Sequence, residues 1–285
     1  MSRLFNQTKK AQDWAVRGVL SDDPAVGQVL ETIKEVAPPV VDLPKTRFED
    51  NRQIEMAAPV GKPLISNESV SRALSGEAYR GLRTRLMRMQ ARQGIKSIVL
   101  SSTLPGEGKT LTTMNLALSF ASLSDVPVLI IDGDMRTSGL TQLLGNPSGP
   151  GLVEVLNGEA KFNEAVVATN IPRLYAVTAG MLTGSAPELL AGPRWKEFMA
   201  WCSESFKIIL VDAPSVLPLA DFDLISSACD GVLVIVRAQH ASRSALRKTA
   251  AQVDPNKLLG VVYNGTDNRH GKVHDKYFAD EPAKR

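Results

Sequence analysis

The run Ser97–Leu123, SIVLSSTLPGEGKTLTTMNLALSFASL, is the part of this chain that most constrains its fold. SIVLSS is a short apolar stretch of the kind that forms a strand buried on both faces. LTTMNLALSFASL is long enough, and apolar enough, for a buried helix. The loop between them carries Gly106 and Gly108 and enters the helix at Lys109-Thr110. A strand running through such a loop into a helix leaves the first helical N–H groups facing the loop, where they cradle phosphate. This is the P-loop arrangement, in which Lys109 reaches the β and γ oxygens and the Thr110 hydroxyl meets Mg²⁺. Pro105, Gly106, Glu107, Gly108 and Leu111 complete the expected cradle. The strict pattern has glycine at position 103, where Thr103 stands.

The rest of the chain agrees with a strand-and-helix alternation. Strands are expected over 97–102, 126–132, 207–211, 231–236 and 258–263, with helices at 110–122, 194–205 and 242–253. Such alternation gives an α/β fold, a mostly parallel sheet with helices on both faces. Ligands in such sheets sit at the carboxyl ends of the strands. Two of these strands end in acids, VLIIDGDMR at Asp132 and Asp134 and KIILVDAPS at Asp212. Any one of them alone serves equally well as a cap or a solvated loop residue. Three together, beside a phosphate loop, make a nucleotide–Mg²⁺ site. Thr110, Asp134 and Asp212 are the expected metal ligands.

Residues 1–70 read differently. They hold six of the 17 prolines, and Pro38-Pro39 and Pro44 break any helix. A weakly structured arm is expected there, followed by a domain over 71–268 and a flexible tail over 269–285. No secretory signal and no membrane-spanning run is visible, so a cytoplasmic chain is expected. Cys202 and Cys229 lack metal-type spacing and read as buried hydrophobes. The formal charge of +3 is local. Residues 71–92 carry six arginines and one glutamate, and the remainder has 27 basic against 29 acidic groups. A single basic helix points to subunit contact or an acidic partner, not to nucleic acid.

These residues resemble the bacterial tyrosine kinases of capsule and exopolysaccharide synthesis (BY-kinases), within the deviant P-loop ATPases. The resemblance covers about residues 70–266. It rests on PGEGKT, IDGDMR and LVDAP, with Ser185-Ala-Pro-Glu-Leu-Leu190, Asp230-Gly231 and Val262-Tyr-Asn264. Partition ATPases carry a signature lysine where Leu104 stands here, which favours the kinase branch. Upstream, Glu77, Arg80 and Arg83 match the family's E-x-x-R-x-x-R helix, which implies subunit contacts in a ring. A separate stripe of Ala78, Leu82, Leu86 and Met89 is expected to face the subunit's own core.

The resemblance implies ATP and Mg²⁺, phosphoryl transfer to tyrosine, and a membrane polysaccharide co-polymerase or activator as partner, which would recruit the protein to the inner face of the membrane. Lys109, Asp132 and Asp134 become the expected catalytic residues, with the roles of the two acids unseparated. Asn264 contacts the base or caps structure. Arg136 contacts phosphate or forms a surface salt bridge. Two departures stand out. Arg136-Thr137-Ser138 lacks the usual proline, and the family's terminal tyrosine cluster is reduced to Tyr277. The alternatives are a Par/Min-like ATPase switch and a nucleotide-binding regulator of an exporter without kinase activity.

Overall fold

The computed structural model of the protein describes residues 48, 51–55, 74–123, 126–217 and 220–265. Tyr277, the 269–285 tail and most of the 1–70 segment lie outside them. Eight strands form one sheet: β1 (Gln53–Ile54), β2 (Ser97–Ser102), β3 (Val128–Asp132), β4 (Val166–Thr169), β5 (Leu174–Val177), β6 (Ile208–Asp212), β7 (Gly231–Arg237) and β8 (Leu258–Asn264). Their order is β1-β4-β5-β3-β6-β2-β7-β8. Every pairing is parallel except β4 with β5.

Side chains alternate across a strand, and the two faces of this sheet are both apolar. Ile98, Leu100, Ile130, Leu210 and Leu233 pack on one side with α1 (Leu74–Gln93), α2 (Lys109–Ala121) and α3 (Gly139–Leu143). Val99, Leu129, Ile131, Val211 and Val234 pack on the other. That second face is covered by α4 (Leu152–Asn157), α6 (Ala186–Ala191), α7 (Pro193–Ser205) and α8 (Asp221–Ser227), while the short α5 (Phe162–Ala165) leads into β4. Helix α9 (Arg243–Gln252) joins β7 to β8. Burial on both faces explains why the central strands are continuous apolar runs. It also explains the character of α2, buried from Thr112 to Phe120.

The five expected strands and three expected helices are present, with ends shifted by one or two residues. Three strands had no clear signal. β4 and β5 are four residues each, too short to show a period. β1 lies within the proline-rich segment and pairs with β4 through Gln53 and Ile54. It is anchored by Phe48, which stacks on Phe206 at 5.1 Å and meets Trp201 and Tyr175 edge-on. On α1 the core stripe is Tyr79, Leu82, Leu86 and Met89. Ala78, expected in that stripe, is exposed. At about 100° per residue Leu82, Leu86, Met89 and Tyr79 make up the buried stripe and Ala78 falls at its margin, where its short side chain does not reach the core. Both cysteines are buried, and burial raises both thiol pKa values.

Asp230 joins the starts of β2 and β7. Its Oδ2 accepts from the Lys96 and Ser97 N–H groups, each at 2.8 Å, and from Ser97 Oγ at 2.9 Å. Asp230→Ala is expected to lower stability by about 1–2 kcal/mol in denaturant unfolding. An unchanged midpoint would show that this bracket contributes nothing.

Candidate active site

The site follows from strand order. β6 lies between β2 and β3, so the ends of all three meet, and Asp132 and Asp212 stand opposite each other in register. The two strand ends approach so closely that the Gly133 N–H donates to the Asp212 carbonyl at 2.8 Å. A Cβ at position 133 would lie 3.0 Å from that oxygen, tighter than an ordinary contact, so a side chain there would require the strand ends to shift by a few tenths of an ångström.

The phosphate loop enters this corner from β2. Gly106 and Gly108 have φ of +82° and +94°, values that favour glycine, and Thr103 has no such requirement. That is the physical reason why threonine is tolerated where the strict motif has glycine. Lys109, the first residue of α2, places Nζ 2.9 Å from Asp134 Oδ2. The hydroxyl of Thr110 lies beside Asp212. Thr113 donates to the Lys109 carbonyl at 3.0 Å.

Three expected cradle residues have side chains engaged elsewhere. Glu107 is buried, and its carboxylate accepts from the Leu104 N–H at 2.8 Å and the Arg237 N–H at 3.3 Å. It fixes the loop from within. Leu111 packs into the core under α1–α3. Asn264 donates from Nδ2 to the Glu107 carbonyl at 2.9 Å, which favours the structural reading of that residue.

The charges are unevenly balanced. Asp132 is fully buried; its Oδ2 accepts from the Thr141 N–H at 2.7 Å and Thr141 Oγ1 at 2.6 Å, while Oδ1 has no partner. Burial raises its pKa to about 6, against the opposing Thr141 hydrogen bonds. Burial likewise raises Asp212 to about 7, although Lys109 pulls it down. Asp134 is disfavoured by burial too, but the Lys109 ammonium outweighs this and lowers its pKa. For Lys109, burial opposes the charge and the carboxylates of Asp212, Asp134 and Asp132 more than restore it, so its pKa is raised.

This arrangement fits Mg²⁺ and phosphate. Asp212 Oδ2 is buried without a partner, and the Thr110 hydroxyl lies beside the same carboxyl group. Among the described residues no group of three or more His, Cys, Asp or Glu side chains is placed to hold a metal. Mg²⁺ does not need one, since it commonly takes one or two carboxylates and completes its shell with phosphate and water.

Arg136 forms a two-point ion pair with the buried Asp221, at 2.8 and 3.3 Å. Of its two expected roles, the salt bridge is the one present. Ser138, where the family has proline, sits at φ +48°. Proline's ring fixes φ near −65°, so this backbone path excludes it. Helix α1 divides its expected contact residues. Glu77 and Arg80 pair with each other, while Arg83 turns inward, donating to the Ser119 carbonyl and to Ser122 Oγ at the end of α2. Sequence reasoning missed Thr141, Asp221, Arg237 and His240. None belongs to a spaced motif, and only the fold brings them to the loop or the acids.

The raised pKa values of Asp132 and Asp212 have a stability consequence. A carboxyl that ionises less readily when folded favours folding in its protonated form. That contribution is complete below about pH 4 and is lost as pH climbs through about 6 and 7. The ligand-free protein should therefore lose thermal stability between pH 5 and pH 8. Asp212→Asn should flatten that slope. An equally steep slope in the variant would contradict the assignment.

The chain resembles known proteins over about two thirds of its length. A scan of protein-family models finds no match. It is 33% identical over 193 residues to the putative tyrosine-protein kinase EpsB of Ralstonia solanacearum, covering 67% of this chain and 26% of EpsB. The chain thus spans about a quarter of that relative's length. The kinase domain of Escherichia coli tyrosine kinase ETK superposes with a TM-score of 0.63 at 25% identity, covering 68% of this chain and 76% of that domain. Tyrosine-protein kinase YwqD of Bacillus subtilis (strain 168) is 30% identical over 196 residues, covering 68% of this chain and 82% of YwqD. With a relative of that identity matched over most of its length, the chain belongs to the bacterial tyrosine kinase family.

Proposed function

We propose that this chain binds ATP with Mg²⁺ and transfers the γ-phosphoryl group to a tyrosine hydroxyl, regulating exopolysaccharide polymerisation and export. The observation that carries the chemistry is Lys109 held at 2.9 Å from Asp134, beside the unpartnered Asp212 Oδ2, at the mouth of the phosphate loop. Catalysis of this kind is chiefly positioning and charge stabilisation. Lys109 exchanges Asp134 for phosphate oxygen when nucleotide enters. Thr110 and Asp212 would hold Mg²⁺, with Asp134 as a further ligand, and the ion would supply neutralising charge for the phosphates. Asp132 orients the incoming hydroxyl and takes its proton. Its pKa near 6 suits a base that works around neutrality, and Thr141 locks its rotamer.

The acceptor is Tyr277 in the tail, entering a neighbouring subunit's site. Assembly into a ring uses Glu77 and Arg80, while Arg83 braces its own α2. The partner is a membrane polysaccharide co-polymerase or activator that brings the domain to the membrane. No helix among the described residues is long and apolar enough to cross a membrane.

Purified protein incubated with labelled ATP and Mg²⁺, with and without activator, should incorporate label on tyrosine. Lys109→Met should lower incorporation by about a hundredfold or more. Phosphate release without incorporation would establish an ATPase switch instead. Label persisting in Tyr277→Phe would move the acceptor, with Tyr263, 60% exposed on β8, the next position to map.

The two arginines of α1 should also separate. Arg80→Ala is expected to reduce the assembled mass in light scattering without lowering Tm. Arg83→Ala is expected to lower stability by about 1 kcal/mol. The reverse pattern would exchange their roles.

A further inference from the structure

Three successive peptide units of the phosphate loop are held from outside the loop. The Pro105 carbonyl faces His240 Nε2 at 3.0 Å. A carbonyl only accepts, so Nε2 carries the hydrogen in this contact. The Gly106 carbonyl accepts from Arg237 Nη1 at 3.4 Å. The Glu107 carbonyl accepts from Asn264 Nδ2 at 2.9 Å. Two of the donors, Arg237 and Asn264, are register partners at the carboxyl ends of β7 and β8, and the third follows in the turn after β7. Those ends are tied by the Ala238 N–H donating to the Asn264 carbonyl at 2.9 Å. A tight turn with Gln239 at φ +58° brings His240 back beside Arg237.

In a planar trans peptide the C=O and the following N–H point in opposite directions. Fixing the carbonyls of Pro105, Gly106 and Glu107 outward therefore turns the N–H groups of Gly106, Glu107 and Gly108 the other way. Three consecutive N–H groups so turned form an anion-binding nest. Gly108 contributes twice. Its positive φ makes the turn, and its missing Cβ leaves room for the Asn264 amide, which would otherwise lie 2.3 Å away.

We propose that Arg237, His240 and Asn264 form a clamp that sets the phosphate loop, and that Asn264 is a positioning residue for phosphate, not a reader of the base. The proposal rests on the nucleotide-binding reading above. Its consequence is specific. An amide that shapes the cradle affects every ligand carrying the same phosphates, whereas an amide that reads adenine affects only ligands that have it.

The test is titration calorimetry on the full chain with MgATP, MgGTP and magnesium tripolyphosphate, with Tm measured on each variant. Asn264→Ala should weaken all three by a common factor of about fivefold, the effect of one hydrogen bond. The ratio of ATP to GTP affinity should not change. Asn264→Asp should weaken binding further, because a carboxylate then faces the Glu107 carbonyl. His240→Ala should weaken binding as well, and His240→Gln, which restores an N–H donor, should recover part of the loss. A fall in MgATP affinity alone, or a changed ATP to GTP ratio, would overturn the clamp in favour of base recognition. Unchanged affinities in Asn264→Ala would overturn it outright while leaving nucleotide binding standing. Wild-type protein that binds none of the three ligands would overturn the nucleotide reading and the clamp together.

Discussion

Three carboxylates share one ammonium at the corner where β2, β3 and β6 end, and much of the structure serves that imbalance. Register alone puts Asp132 opposite Asp212, with neither side chain exposed to water. Burial disfavours the charge on both, and their pKa values rise accordingly, with repulsion from neighbouring carboxylates adding to the effect. Lys109 is the cation that relieves them, and it is committed to Asp134 until a better anion arrives. On the proposed function, a polyphosphate with its metal would change the sum on both sides, giving the lysine a stronger partner and the orphaned carboxylate oxygens a cation. The corner is thus charged against itself in a way that the proposed ligand would relieve.

The surroundings keep that corner from relaxing. Thr141 ties Asp132 from α3, and Arg136 ties the loop after β3 to Asp221 at the start of α8. Arg83 secures the far end of α2, so the helix carrying Lys109 is braced at its carboxyl end. These are contacts among different elements, and each removes one way of separating the charges by local movement.

Much of this was legible in the chain and some was not, for identifiable reasons. Local signals sufficed for the loop from Thr103 to Thr110, because a strand, glycines and a helix start follow one another directly. They sufficed for Asp132, Asp134 and Asp212, since an apolar run ending in acid marks a strand end. They failed for β4 and β5, too short to show a period, and for β1, obscured by neighbouring prolines. They could not separate Arg83 from Arg80, because helical spacing gives the angle of a side chain and not which neighbour waits there. The inward turn of Glu107 was likewise hidden. Its partners, Leu104 and Arg237, meet only once β7 lies beside β2.

The strand order carries one more consequence, for how such a chain reaches its native state. β2 and β3 are consecutive in sequence but not neighbours, and the slot between them belongs to β6, whose residues come much later. Parallel pairings of such long separation form slowly. Until β6 inserts, β2 and β3 each present an unpaired apolar edge, the kind of surface on which partly folded chains aggregate. The same insertion delivers Asp212. The last central strand to be synthesised before β7 thus joins β2 to β3 and brings in the third of the site's acids in one event, so a chain stalled before that step is sticky and lacks Asp212 from its corner.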